Sequence, residues 1–288
     1  MIDILHDTEW VLAYRSDMLT PVFEVFTWFG YSTFYLLFLP LGYWLWSKPA
    51  FTRLAILVAT SAVINAFLKD WIQDPRPDLA FSLDPRTNGD FGMPSGHAQV
   101  SSAMWIWLAY EVRRWWMWAF STLMVVGICT SRVYLGVHDL EDIFAGLALG
   151  ATALGLTLTI TQAGVERIGP IGGAAIMLVG QVIVFLSWNP QHPPGDVSIF
   201  GGFCIAWLIG VWSEQKRLNY QPPVDPVRKA AVAGIGTVIL VALFLGFKKF
   251  AGVVEPEGYR VLYIGAAIIA FYMTFLAPLL FKRLRLSA

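Results

Sequence analysis

Eight residues between positions 69 and 142 have the types and spacing of a phosphate site. Lys69 and Arg76 supply two cations, the second between Pro75 and Pro77, which fix the backbone around it. A charge in a membrane span costs about 2.5 to 3.5 kcal/mol at its centre and less near its end. Lys69 could meet that cost by snorkelling, but Arg76 between two prolines needs another reason, because a snorkelling side chain needs no rigid backbone. Ser95, Gly96 and His97 follow Pro94 and open an apolar run. Ser95 can cap a helix there, and the free N–H groups of its first turn, with the positive end of its dipole, form an anion pocket. Gly96 lets the backbone approach a ligand closely. Arg132 precedes His138 by six positions, and Asp142 follows four residues later on the same face of a helix's first turn. A carboxylate at that spacing can hold the imidazole N–H, fix the tautomer and raise its nucleophilicity. The remaining two of the four histidines, His6 and His192, fall in expected outer loops without a partner pattern and read as solvated.

The elements that must position these groups are membrane helices. The chain has 288 residues, 57% hydrophobic and only 14% charged, against about 25% charged in a soluble domain. Stretches near the roughly 20 residues that cross a hydrocarbon core recur along it. Nine spans are expected, at roughly 22–46, 51–71, 97–112, 115–131, 139–163, 169–188, 197–213, 229–248 and 259–281, each bounded by Pro, Gly or charge. The fold class is therefore all-α, a polytopic helix bundle. The first twenty residues lack the basic start of a cleavable signal and read as an interfacial helix or a polar tail. Trp115, Trp116 and Trp118 beside Arg113 and Arg114 form an aromatic belt. Cys129 and Cys204 lie in apolar spans as small hydrophobes, with no disulfide or metal framework. With the N-terminus outside, twelve of the 20 lysines and arginines fall on the inner side, and three of the other eight, Lys69, Arg76 and Arg132, belong to the site. The positive-inside rule thus puts the N-terminus and both motif loops outside and the C-terminus inside. The polar run 212–229, with Pro222, Pro223 and Pro226, separates a front block from three trailing helices. The expected organisation is one membrane domain, 1–288, with a core at 22–190 carrying the motifs and three additional helices at 197–288.

Lys69 with Arg76-Pro77, Pro94-Ser95-Gly96-His97, and Ser131-Arg132 with His138 and Asp142 resemble the three-part signature of the type 2 phosphatidic acid phosphatase superfamily. The resemblance covers residues 69–142 directly. It implies a phosphatase without metal or other cofactor that works through a phosphohistidine. His138 would be the nucleophile, oriented by Asp142. His97 would protonate the leaving oxygen and then activate water. Lys69, Arg76, Ser95, Gly96 and Arg132 would hold the phosphate oxygens. Many bacterial members have about six spans. The nine expected here are more similar in layout to the glucose-6-phosphatase and sphingosine-1-phosphate phosphatase branches.

The expected function is hydrolysis of a lipid phosphate or lipid diphosphate monoester, such as phosphatidate, phosphatidylglycerol phosphate, a sphingoid phosphate or a polyprenyl diphosphate. The alternatives are a phosphatase for a small soluble phosphate such as a sugar phosphate, a vanadium haloperoxidase, and a non-catalytic transporter or scaffold. The first rests on the nine-span layout; haloperoxidases are soluble; the last would predict lost motif residues or paired charges in the trailing spans. Expected partners are the lipid substrate and membrane lipids; a net charge of zero gives no reason to expect nucleic acid. The host membrane is expected to be the bacterial inner membrane, with the site facing the periplasm. The polar linker 78–93, with Asp78, Asp84, Arg86, Asn88, Gly89 and Asp90, is long enough to rim the site and control headgroup access.

Overall fold

The computed structural model describes residues 5–87, 91–188, 195–254 and 259–288; Asn88, Gly89, Asp90 and His192 lie outside them. Among the described residues every regular element is a helix. After a short 3-10 helix, Glu9–Tyr14, come α1 (Leu19–Trp28), α2 (Ser32–Leu45), α3 (Lys48–Ile72), α4 (Gly96–Val112), α5 (Trp115–Tyr134), α6 (Leu140–Gln162), α7 (Gly169–Ser187), α8 (Gly195–Arg217), α9 (Pro226–Val254), α10 (Tyr259–Phe271) and α11 (Ala277–Arg283). Among the described residues seven spans are long and apolar enough to cross a membrane, one of them running from α10 through α11, and α1 with α2 makes an eighth if that bent pair is one span. The chain is an all-helical integral membrane protein. The third expected span is α4, whose 17 residues give about 25 Å of helix.

The first expected span, 22–46, is not one straight helix. It breaks between α1 and α2 with a 55° bend. Gly30 N–H bonds Thr27 O at 2.9 Å and Tyr31 N–H bonds Trp28 O at 3.2 Å, closing the end of α1 before Ser32 starts α2. A stop at glycine followed by a serine start is a helix boundary signal, here inside an apolar run long enough for a single span.

The chain divides into two compact units. One holds the residues up to Tyr35 with Ile64–Thr159; the other holds Leu36–Val63 with Ile160–Ala288. In the second unit, the Lys48 ammonium lies 3.0 Å from both oxygens of Glu214, at the end of α8, and donates to Tyr220 O at 2.6 Å. The same carboxylate accepts the Tyr220 N–H, so a fully buried acid is paired and hydrogen-bonded as its burial requires. Also in this unit, α10 passes into α11 through a π turn, Tyr272–Leu276, just before Pro278. Proline removes one helical N–H, and Trp44 Nε1–H donates to Met273 O in that turn at 2.6 Å.

In the first unit the decisive packing is that of α6 on α4. A Cβ at Gly146 would stand 2.6 Å from Ser95 O, and one at Gly150 would stand 2.6 Å from Gln99 O and 2.3 Å from Ser102 Oγ. Two glycines four residues apart let helix backbones touch, as in small-xxx-small membrane pairs. Gly155, further along α6, has nothing within 4 Å. Gly146→Ala and Gly150→Ala are therefore expected to lower unfolding stability in detergent by about 1 to 3 kcal/mol each, while Gly155→Ala raises it by about 0.5 to 1 kcal/mol through helix propensity. Equal shifts for all three in a thermal unfolding series would remove this account of the packing.

Candidate active site

Helix ends and their connections within the first unit surround a cavity of about 210 Å³, lined by Tyr31, Asn65, Lys69, Arg76, Asp84, Arg86, Thr87, Gly96, His97, Arg132 and His138. Six of the eight residues singled out in the sequence are among them. The other two stand behind the lining. Ser95 is fully buried and caps α4, its hydroxyl accepting from Ala98 N–H at 3.5 Å. Asp142 lies in the first turn of α6, whose start is capped by Asp139 Oδ1 accepting the Asp142 N–H at 2.9 Å.

His138 is oriented from both sides. Its Nδ1 lies 2.7 Å from Asp142 Oδ2, and its Nε2 lies 3.1 Å from Arg76 Nη1. A carboxylate accepts and a guanidinium donates, so the proton belongs on Nδ1 and the lone pair on Nε2. Arg76 Nη1 also donates to Val137 O at 2.6 Å. His138 is 2% exposed. Burial first, and then the charges of Arg132, Arg76 and Lys69, hold its pKa well below the usual histidine value. The ring therefore stays neutral, as a nitrogen nucleophile must.

Facing it, His97 is fixed by α1. It makes a hydrogen bond to the Thr27 backbone, and Tyr31 meets its ring edge-on at 4.7 Å between centroids. A Cβ at Gly30 would stand 2.2 Å from His97 Cδ2, so only glycine at the α1–α2 break admits the imidazole. His97 Nε2 is buried and has no hydrogen-bond partner.

The three expected cations are held differently. Lys69 donates to the carbonyls of Phe91 and Gly92. Arg76 is spent on Val137 O and His138, as above. Arg132, 3% exposed, donates from Nη1 to Thr27 Oγ1 at 2.8 Å and to Asp84 Oδ2 at 2.9 Å. Its Nε is buried without a partner. Burial would raise the Asp84 pKa, but hydrogen bonds from Tyr31, Arg132 and the Arg86 N–H outweigh it and keep the carboxyl below its usual value. Arg86 lies over the Tyr31 ring, 4.3 Å from guanidinium carbon to centroid.

Sequence reasoning missed Thr27, Tyr31 and Asn65, and it read Asp84 as a rim residue rather than as the partner of Arg132. Asn65 Nδ2 donates to Pro94 O at 3.0 Å and to Gln99 Oε1 at 2.9 Å, fixing the turn that leads into α4. A Cβ at Gly96 would lie 2.9 Å from Asn65 Oδ1, so the glycine also serves this packing. His6 is not free of partners: it pairs with Glu141, both side chains about half exposed. Among the described residues no group of three or more His, Cys, Asp or Glu is arranged to ligate a metal.

The profile of the PAP2 superfamily matches residues 50–166, and that of the PAP2 superfamily phosphatase transmembrane extension matches residues 198–288. The chain belongs to the PAP2 superfamily. All eight residues singled out in the sequence fall within the first matched segment. Lipid phosphate phosphatase delta of Arabidopsis thaliana is 24% identical over 243 residues, 72% of this chain and 58% of that protein. Sphingosine-1-phosphate phosphatase 2 of Mus musculus is 28% identical over 136 residues, 44% of this chain and 38% of that protein. Phosphatidylglycerophosphatase B of Bacillus subtilis is 29% identical over 149 residues, 47% of this chain and 72% of that protein. This PAP2 chain thus spans less than two thirds of the length of the first two relatives.

The lowered pKa of His138 has a pH consequence. Between its folded value and the ordinary 6.5, the unfolded chain binds a proton that the folded chain refuses, so stability rises with pH across that window. The contribution is complete above about pH 6.5 and lost as the pH falls through the folded pKa. In an NMR titration His138 is expected to remain neutral at pH 6. A His138 midpoint at or above 6.5 would contradict the burial argument.

Proposed function

We propose that this protein is a membrane phosphatase that hydrolyses a lipid phosphate or lipid diphosphate monoester through a phosphohistidine, without a metal. The observation that carries the reading is the pair of buried nitrogens without partners, Arg132 Nε and His97 Nε2, on a cavity whose lining also holds Lys69, Arg76, Arg86 and an oriented neutral imidazole. Buried polar atoms are seldom left unpaired unless a ligand takes them, and an anion with several oxygens is the ligand that suits donors on this many sides.

In the proposed reaction a phosphate oxygen takes Arg76 Nη1 away from His138, which frees the Nε2 lone pair. Nε2 then attacks phosphorus in line as the P–O bond to the alcohol breaks, and His97 gives the leaving oxygen a proton. Asp142, on Nδ1–H, stabilises the positive ring. Water next attacks phosphorus on the face opposite nitrogen, giving its proton to His97; the P–N bond breaks, and phosphate leaves. Lys69, Arg76, Arg132 and the Gly96 N–H balance charge on the equatorial oxygens. Ser95 contributes through the start of α4 that it caps.

The relatives' names, a lipid phosphate phosphatase, a sphingosine-1-phosphate phosphatase and a phosphatidylglycerophosphatase, support a lipid substrate. Residues 22–190 would form the phosphatase core and 197–288 an addition of three helices. The linker, of which Asp84, Arg86 and Thr87 line the cavity, would control headgroup access. The charge balance of the loops supports the N-terminus and site on the periplasmic side of a bacterial inner membrane and a cytoplasmic C-terminus.

Purified protein in detergent is expected to release phosphate, with EDTA present, from at least one of phosphatidate, phosphatidylglycerol phosphate, sphingosine phosphate and polyprenyl diphosphate, and to prefer it to glucose 6-phosphate. His138→Ala is expected to lose at least about a thousandfold in kcat. His97→Ala is expected to lose about 10² to 10⁴-fold on an alkyl phosphate and less on an aryl phosphate, whose leaving group needs no proton. Release that vanishes with EDTA, or survives in His138→Ala, would sink the mechanism.

A further inference from the structure

We propose that Asp84 is a positioning residue for Arg132: it holds one end of the guanidinium so that the opposite edge is presented to phosphate. The inference rests on the phosphate-binding reading above. Asp84 lies 48 positions from Arg132 in sequence and outside the motif residues, yet the two side chains meet at 2.9 Å with only 5% and 4% of their surface exposed.

The geometry fixes a direction as well as a contact. Nη1 carries two hydrogens, and Thr27 Oγ1 at 2.8 Å and Asp84 Oδ2 at 2.9 Å engage them. The guanidinium is planar, with its donors in a rigid fork. Two anchors on Nη1 therefore set where the Nε–Nη2 edge points. That edge includes the buried Nε that has no partner, and it is the edge that could grip two oxygens of one phosphate. Without Asp84, Nη1 would keep Thr27 and a longer contact to the Tyr31 hydroxyl at 3.5 Å, which Asp84 itself also holds, so the plane would be less firmly set.

Asp84 has a second task that must be separated from this one. Its Oδ1 accepts the Arg86 N–H at 3.1 Å, which shapes the turn 84–87, and its Oδ2 also accepts from the Tyr31 hydroxyl. Asp84→Asn keeps a carbonyl acceptor for Nη1 but turns an amide nitrogen towards the Arg86 N–H, so it preserves the hold and gives up the turn bond. Asp84→Ala gives up both. Charge works in the opposite sense, because removing an anion beside the cavity by itself favours phosphate. Weaker binding in Asp84→Ala can therefore not come from the lost charge.

The test is titration of full-length protein in detergent with orthovanadate and with inorganic phosphate, alongside the turnover assay. Asp84→Ala is expected to bind at least about tenfold more weakly, and Asp84→Asn to stay within about threefold of the unsubstituted protein or to bind more tightly. In an Arg132→Lys background, which has no fork to orient, adding Asp84→Ala is expected to change binding less than about twofold. Should the alanine variant fail to fold, Asp84→Glu displaces the carboxylate and is expected to weaken binding in its place. Equal losses in Asp84→Asn and Asp84→Ala, or a full further loss in the lysine background, would make the role structural and overturn the proposal, as would no anion binding by the unsubstituted protein. Anion binding that depends on Asp84 in a protein without turnover would sink the phosphatase reading and leave this one standing. Turnover with binding indifferent to Asp84 would do the reverse.

Discussion

Within the first unit, the structure depends on how closely the backbone of α6 lies on that of α4. Gly146 and Gly150 present no side chain to Ser95 O and Gln99 O, where a Cβ would overlap. Because the helices touch there, their N-termini come together, and Ser95 N–H bonds Asp142 O at 3.0 Å across the junction. His97 in the first turn of α4 and His138 just before α6 then line one cavity. The same closeness has an electrostatic cost, since two positive dipole ends meet beside Lys69, Arg76 and Arg132. The carboxylates of Asp84, Asp139 and Asp142 stand where they offset it: one on Arg132, one on the start of α6 and one on His138.

The motif residues were legible in the sequence for a physical reason. In a chain only 14% charged, each cation or histidine at the end of an apolar run carries a desolvation cost that needs an explanation. Arg76, Arg132, His97 and His138 were the residues for which lipid snorkelling or solvation was a poor one, and they converge with Lys69 on one cavity. The spacing of His138 and Asp142 specified their contact because a helix fixes it locally.

The second wall of the cavity was not legible in the same way. Thr27, Tyr31 and Asn65 are uncharged, so nothing marks them until the partner is known. Gly30 and Ser32 did announce a boundary, but the surrounding apolar run had the length of one span, and length outweighed the local signal. Asp84 read as one more acid in a polar linker, because its partner lies 48 positions away and no periodicity joins a loop to the end of α5. Ser95 shows the opposite limit. Its cap was foreseen and is present, yet a capping hydroxyl turned into its own helix does not also face the cavity. His6 paired with Glu141 where only solvation had been expected, again a contact between residues distant in the chain.

The three cations expected at the phosphate fall into two kinds, and the difference bears on how such a site can be both built and used. Lys69 rests on the carbonyls of Phe91 and Gly92, and Arg76 on Val137 O and His138 Nε2. Among the partners of Lys69 and Arg76 these acceptors are neutral, whereas a phosphate adds the attraction of opposite charge. A phosphate under the proposed reaction could therefore draw both cations from their resting partners, and in the case of Arg76 the exchange would itself uncover the nucleophile. Arg132 is held by a carboxylate that a phosphate has less power to displace, and it still has a buried edge to offer. A site made only of the first kind would lose its shape when empty. One made only of the second would have little left to bind with. Under the proposed reaction the mixture would give a fixed guanidinium that sets the direction of the anion and two cations released to it on arrival.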